Sequence, residues 1–141
     1  MKISKDFSIH EFVPPMIYEY FVDKSLWFID PRIVVLAQFI RDRFGKQVTI
    51  NNYLAGGNYQ YSGFRDHACT IGAVNSQHRQ GRAIDFRVKG MEPEEVRQDI
   101  ITYFPLYKAV GLTTIEADTA TWIHADCRFT NQDSLLIVPF K

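Results

Sequence analysis

Ser76-Gln77-His78-Arg79-Gln80-Gly81-Arg82-Ala83-Ile84-Asp85-Phe86-Arg87-Val88 changes character at its glycine. Before Gly81 the residues are polar and without period; after it, apolar and polar side chains alternate. Alternation with period two marks a half-buried strand, so a strand is expected over Arg82 to Val88. Ile84, Phe86 and Val88 then share the face toward a core, and Ala83, Asp85 and Arg87 share the other. His78 and Asp85 stand seven apart with a glycine turn between them, which is not the i, i+4 helical pair of a His-Glu-x-x-His zinc site. The spacing fits one ligand on a loop and a second on the following strand. A loop histidine and a surface aspartate with no metal between them fit it too, and from spacing alone that is the commoner explanation.

Trp122-Ile123-His124-Ala125-Asp126-Cys127-Arg128-Phe129 has the same period. Ile123, Ala125, Cys127 and Phe129 form its apolar face; Trp122, His124, Asp126 and Arg128 form the other. His124 is thereby expected on an exposed strand face beside a carboxylate. Two histidines and one carboxylate leave the fourth position of a tetrahedral zinc open, the arrangement of a catalytic zinc rather than a structural one.

Outward from these two strands, the rest of the chain supplies helices and a third set of strands. Asp30 as N-cap, Pro31 at the first helical position and Gly45 as stop bound a helix from Pro31 to Phe44. Ile33, Leu36, Ala37, Ile40 and Phe44 recur at helical spacing, with Val34, Val35 and Phe39 widening the apolar stripe. Val48 to Asn51 reads as a strand, Gly56 to Gly81 as a long loop, and Pro93 to Phe104 as a helix ended by Pro105. Lys108 to Glu116 and Leu135 to Pro139 are further strand-like runs. Residues 1–30 read as an irregular cap with a short helix over Met16 to Phe21. The class expected is α+β, helices packed on a mostly antiparallel sheet.

The composition bounds the function. At 141 residues the chain suits one domain and is short for two. Sixteen basic residues balance sixteen acidic ones, which speaks against a nucleic-acid binder working by phosphate neutralisation. No apolar run reaches the length of a membrane span, and the N-terminus lacks the apolar stretch of a secretory signal, so neither membrane insertion nor export by that route is expected. Cys69 and Cys127 make no disulfide framework; Cys127, on the apolar face, suits a small core residue. A monomer, cytoplasmic as synthesised, is the expectation.

Ser-x-His-x-x-Gly-x-Ala-x-Asp, at 76 to 85, followed by Trp-x-His, at 122 to 124, resembles the zinc peptidases that cut peptidoglycan stem peptides. These include D-alanyl-D-alanine carboxypeptidases and dipeptidases and the L-alanyl-D-glutamate endopeptidases of phage lysins, which share a fold with the hedgehog signalling domain. The resemblance spans about residues 47 to 129. It implies Zn²⁺ held by His78, Asp85 and His124, a bacterial peptidoglycan peptide as partner, and action on the cell wall, as for a phage or prophage lysin. Ser-Gly-Phe-Arg at 62 to 65 resembles the family's segment with an arginine near the substrate, so Arg65 is expected in the site, with Ser76 and Trp122 as further substrate-binding residues. Phe-Ser-x-x-Glu-Phe at 7 to 12 is similar to the N-terminus of lysin-like members.

The pattern is broken at one place. Many members carry a Glu or Asp three residues before the last histidine, where this chain has Thr121. Glu116, Asp118 and Asp126 compete for the role of base. A hairpin with its loop at 117 to 121 would set Glu116 opposite Trp122, diagonal to His124 on the same face. Asp126 shares that face and is equally placed to orient His124, while Asp118 suits a turn. Glu116 is the expected base, with Asp126 as the other catalytic carboxylate. A non-catalytic zinc-containing binding module of the same fold is the alternative.

Overall fold

The computed structural model describes residues 1–140. It contains helix α1 (Pro15–Phe21), helix α2 (Pro31–Phe44), strand β1 (Val48–Thr49), strand β2 (Ala83–Val88), helices α3 (Pro93–Thr102) and α4 (Phe104–Lys108), and strands β3 (Thr114–Glu116), β4 (Ile123–Asp126) and β5 (Leu136–Val138). The class is α+β, as the alternation and helix signals imply.

Local chemistry accounts for α2. The Asp30 carboxylate accepts from the Arg32 backbone N–H at 2.9 Å, Pro31 opens the first turn, and Gly45 closes the helix at φ +61°. Ile33, Val34, Leu36, Ala37 and Ile40 are buried along its inner stripe, whereas Val35 is half exposed and lies outside it. Arg43, in the last turn, reaches α3 and holds Asp99 through two hydrogen bonds of 2.6 and 2.9 Å.

The sheet runs in the order β1-β2-β4-β3-β5. All neighbours are antiparallel except β3 and β5, which are parallel. Ile84 and Phe86 of β2 and Ile115, Ile123 and Ala125 of the neighbouring strands are fully buried on the side that packs against the helices. The cap belongs to this core, because Phe7, Ile9, Phe12 and Val13 are at most 2% exposed.

Several element boundaries differ from those expected. Pro105 does not end a helix; it sits in the first turn of α4, where its missing N–H is no loss. Residues 108 to 111 are therefore helix and turn, 112 and 113 have no regular structure, and β3 is only three residues long. Ile50 and Asn51 lie beyond the end of β1. Within the cap, Val22–Phe28 forms a 3₁₀ helix that no periodicity announced. Phe129 lies past β4 and is 87% exposed, so the apolar face of that strand ends at Cys127.

No helix among the described residues is long and apolar enough to cross a membrane.

Candidate metal centre

His78, Asp85 and His124 come together on the sheet face turned away from the helices. One potential ligand atom from each lies within 4.8 Å of the others. Asp85 and His124 are direct partners in the β2–β4 register. His78 arrives from a 3₁₀ turn over Gln77–Gln80. The Ser76 Oγ accepts from the His78 backbone N–H at 3.2 Å, and Gly81 ends the turn at φ +70°. A Cβ at Gly81 would stand 1.9 Å from the Phe28 carbonyl oxygen, so only glycine lets the cap approach this closely.

The ring nitrogens have fixed directions. His78 Nδ1 is 2.8 Å from the Gly63 carbonyl oxygen, and its Nε2 is 3.2 Å from Asp85 Oδ1. His124 Nε2 is 2.8 Å from Asp126 Oδ2, and its Nδ1 is 3.0 Å from the same Asp85 Oδ1. A neutral imidazole has one N–H, yet each ring meets an acceptor at both nitrogens. A cation near Asp85, or a proton on the ring, resolves the conflict. Gly63 accepts the Nδ1–H of His78, and Asp126 accepts the Nε2–H of His124, so the nitrogens turned toward Asp85 are His78 Nε2, without a proton, and His124 Nδ1, which a cation binds once its proton leaves. Ligands at zinc distances around a tetrahedron stand about 3.4 Å apart, so the donor set and its spacing fit such an ion.

Charge reinforces that arrangement. Burial holds His78 below the usual histidine pKa, so it is neutral at neutral pH. Burial also acts to lower His124, but hydrogen bonds to Asp126 and Asp85 outweigh it and push the ring up to about 9. Burial would raise Asp85, yet the two histidines beside it hold it well below the ordinary carboxylate range. Arg65 Nη2 bonds the other oxygen of Asp85 at 2.9 Å, while its Nε donates to the Tyr61 carbonyl at 2.7 Å.

The strip 62–65 lies behind Asp85 and His78. Ser62 O accepts from Asp85 N at 2.7 Å, Gly63 O meets His78, and Arg65 N donates to His78 O at 3.2 Å. This strip hangs on Asn51. Its Oδ1 accepts from Ser62 N at 2.9 Å, its Nδ2 donates to Val13 O at 3.1 Å, and its backbone N–H donates to Glu11 O at 3.1 Å. Nothing in the sequence around Asn51 signals that role.

Glu116 is at the rim. Its Oε1 is 3.9 Å from His124 Nδ1. The β3–β4 register pairs Thr114 with Asp126 and Ile115 with Ala125. Continued one step, it sets Glu116 opposite His124, not opposite Trp122; the connecting loop is longer than the expected 117 to 121. The shared face is as expected, and the register is two residues off. Burial raises the Glu116 pKa, Asp85 and Asp126 add to this, and His124 opposes it. Arg97, unremarkable in the sequence, holds the loop beyond β3 through the Glu116 carbonyl, Thr119 O and Thr119 Oγ1.

His124 is not on an exposed face. It is 4% exposed and Asp126 is 0%, because the cleft walls cover the second side of the sheet. Asp126 touches His124 and is also gripped by Arg128 Nε and Nη2 at 2.8 and 2.5 Å. It has no position facing the cleft from which to take a proton. Asp118 is exposed, outside the cleft. Trp122 lines the cleft with its ring 5.4 Å from that of Phe140, and Ser76 and Arg65 line the opposite wall. The cleft holds about 500 Å³, within the usual range of small-molecule sites.

No protein-family model matches this chain, and no curated protein or solved structure is similar enough to count as a match.

Proposed function

We propose that the protein is a zinc-dependent peptidase acting on the stem peptides of bacterial peptidoglycan. One observation carries the reading: one nitrogen from each of two imidazoles and a carboxylate converge at the floor of an open cleft, with a half-buried glutamate beside them. Structural zinc sites fill all four positions with protein ligands, whereas three ligands and an open side suit catalysis. When bound, zinc supplies Lewis acidity, acidifying a water and polarising a peptide carbonyl.

The chain's own residues divide the remaining work. Glu116, with its pKa raised by burial, takes a proton from the attacking water and returns it to the leaving amine. Asp126 fixes the Nε2–H of His124, so Nδ1 is the nitrogen that turns to the cleft and offers its lone pair once its proton is displaced. Arg65 offers a guanidinium edge at the cleft wall, suited to a peptide carboxylate, while its other edge steadies Asp85. Trp122 and Phe140 form an apolar wall for the peptide.

Digestion of purified peptidoglycan, read by mass spectrometry of the released peptides, tests the proposal. New peptide termini are expected with zinc present, none after chelation, and their return on adding zinc back. A zinc-loaded protein that binds wall peptides and leaves every bond intact would overturn hydrolysis in favour of a binding module.

A further inference from the structure

Arg128, just past the end of β4, is only half spent. Its Nε and Nη2 hold the buried Asp126 carboxylate, and its backbone N–H donates to the same group at 3.1 Å. A guanidinium carries five N–H groups, and this fork uses two of them. Nη1 has no acceptor among the described residues, and Arg128 lines the metal cleft with 27% of its side chain exposed. Arginines that only brace this fold are used more fully. Arg79 places Nε, Nη1 and Nη2 on the Ala73, Asp66 and Cys69 carbonyls, and Arg97 places all three of its nitrogens on Glu116, Glu94 and Thr119.

Nothing else in the cleft takes the free edge. Glu116 acts on Arg128 through its charge, yet no ion pair joins the two among the described residues. Arg65 is the more enclosed of the two cleft guanidiniums. Its side chain is 11% exposed, and a Cβ on Gly72 would stand 2.6 Å from its Nη1. Position gives the Arg128 edge a meaning. Trp122, His124, Asp126 and Arg128 follow one another on one side of the β4 line, so Arg128 and Trp122 flank His124 from opposite directions. The Ala83–Asp126 pair sets the Arg128 end beside the start of β2 and the polar turn Gln77–Gln80. The Trp122 end is apolar, walled by Pro139 and the Phe140 ring.

We infer that the free edge of Arg128 is a subsite for a side-chain carboxylate of a bound peptide, which lies with that acidic residue on the Arg128 side of His124 and an apolar residue on the Trp122 side. A guanidinium edge and a carboxylate match in plane and spacing. Because Asp126 already holds the other edge, the side chain is fixed in advance and loses little freedom on binding. The subsite rests on the reading of the cleft as a peptide site, and it stands whether or not any bond is cut there.

An NMR titration of the full chain without zinc compares acetyl-Ala-Glu-Ala-amide with acetyl-Ala-Gln-Ala-amide, alike in shape and different by one charge. The blocked ends leave the glutamate as the only carboxylate, and omitting zinc removes both turnover and a metal that would attract it. The glutamate peptide is expected to bind about 10-fold more tightly, the low end of what a hydrogen bond to a charged group is worth, since the edge is partly solvated. It should also move the Arg128 Nε–H signal, and in Arg128→Gln the two peptides should bind alike. Equal affinity in the parent, binding of neither peptide, a preference that survives Arg128→Gln, or a shift at the Arg65 Nε–H with none at Arg128 would each overturn the subsite. If Arg128→Gln fails to fold for want of a partner to Asp126, the two parent titrations and their shift maps decide alone. Wall peptides left uncut by the zinc-loaded protein would end the hydrolytic reading and leave this result untouched.

Discussion

Glu116 and His124 face each other across the β3–β4 pair, with Glu116 Oε1 3.9 Å from the His124 nitrogen that points into the cleft. At that separation nothing fits between carboxylate and imidazole, but a water beside them can reach both, and the carboxylate lies on the open side of the three-residue cluster. Asp126 holds the far nitrogen of the same ring. The two carboxylates that share His124 therefore have separate tasks, one toward the cleft and one away from it.

Glu116→Gln keeps the shape of the side chain and removes its basicity. Peptide hydrolysis is expected to fall by about 10²–10⁴, with zinc content and melting temperature unchanged. Turnover equal to the parent would remove Glu116 from the mechanism.

Asp126→Asn acts through His124. The amide loosens the ring and no longer guarantees the Nε2–H tautomer, so zinc affinity should drop by about 10–100-fold. Competition with a chromophoric chelator measures this directly. Unchanged affinity would show that the ring is held by packing alone.

Zinc uptake should release a proton. With its pKa pushed up to about 9, His124 carries that proton on Nδ1 in the metal-free protein at neutral pH. The sign follows from linkage. The proton stabilises the metal-free fold fully below about 6.5, the ordinary histidine value, and that stabilisation is lost as pH rises through about 9. Zinc competes for the same nitrogen, so apparent affinity should climb with pH across this interval and level off above it. Calorimetry in buffers of different ionisation heat counts the protons; a count of zero at pH 7 would contradict the assignment.

Arg65 has more to hold than its place in a polar loop suggests. Removing the guanidinium leaves Asp85 buried with one oxygen unpaired. Arg65→Ala should therefore destabilise the zinc-free protein by about 3 kcal/mol, the usual cost of breaking a buried ion pair from one side. The loss should be smaller with zinc bound, since the ion supplies Asp85 with a new cation. Equal melting temperatures for parent and variant without zinc would show that the pair does not support the fold.

Asn51→Ala orphans Ser62 N and leaves Val13 O with the Tyr53 hydroxyl alone. A loss of about 1–3 kcal/mol is expected in denaturant titrations, the cost of one unsatisfied buried group. Zinc affinity should weaken with it, because Ser62 and Gly63 carry the hydrogen bonds behind Asp85 and His78. A destabilised variant with undiminished zinc affinity would separate the cap from the ligand geometry.

What the sequence determines by itself is what a few neighbouring residues decide. Asp30, Pro31 and Gly45 bound α2 through caps that involve only the adjacent turn. Period two sends Asp85 away from Ile84 and Phe86, and His124 away from Ile123 and Ala125, whatever the rest of the chain does. Asp85 and His124 are legible for that reason, and His78 only through its spacing to Asp85 across the glycine and the motif it shares with it. Strand partners and the far side of the sheet depend on contacts distant in sequence. Irregular backbone between β3 and β4 carries no periodic signal, so the register that puts Glu116 opposite His124 was out of reach, and the expected pairing fell two residues away. His124 looked exposed because alternation names two faces without saying what covers the second; here His78, Asp85, Glu116 and Asp126 crowd around its ring. Asn51 is the clearest case. Its importance lies in hydrogen bonds to Glu11, Val13 and Ser62, and only the packed chain brings those groups within 3.1 Å of one side chain and its backbone.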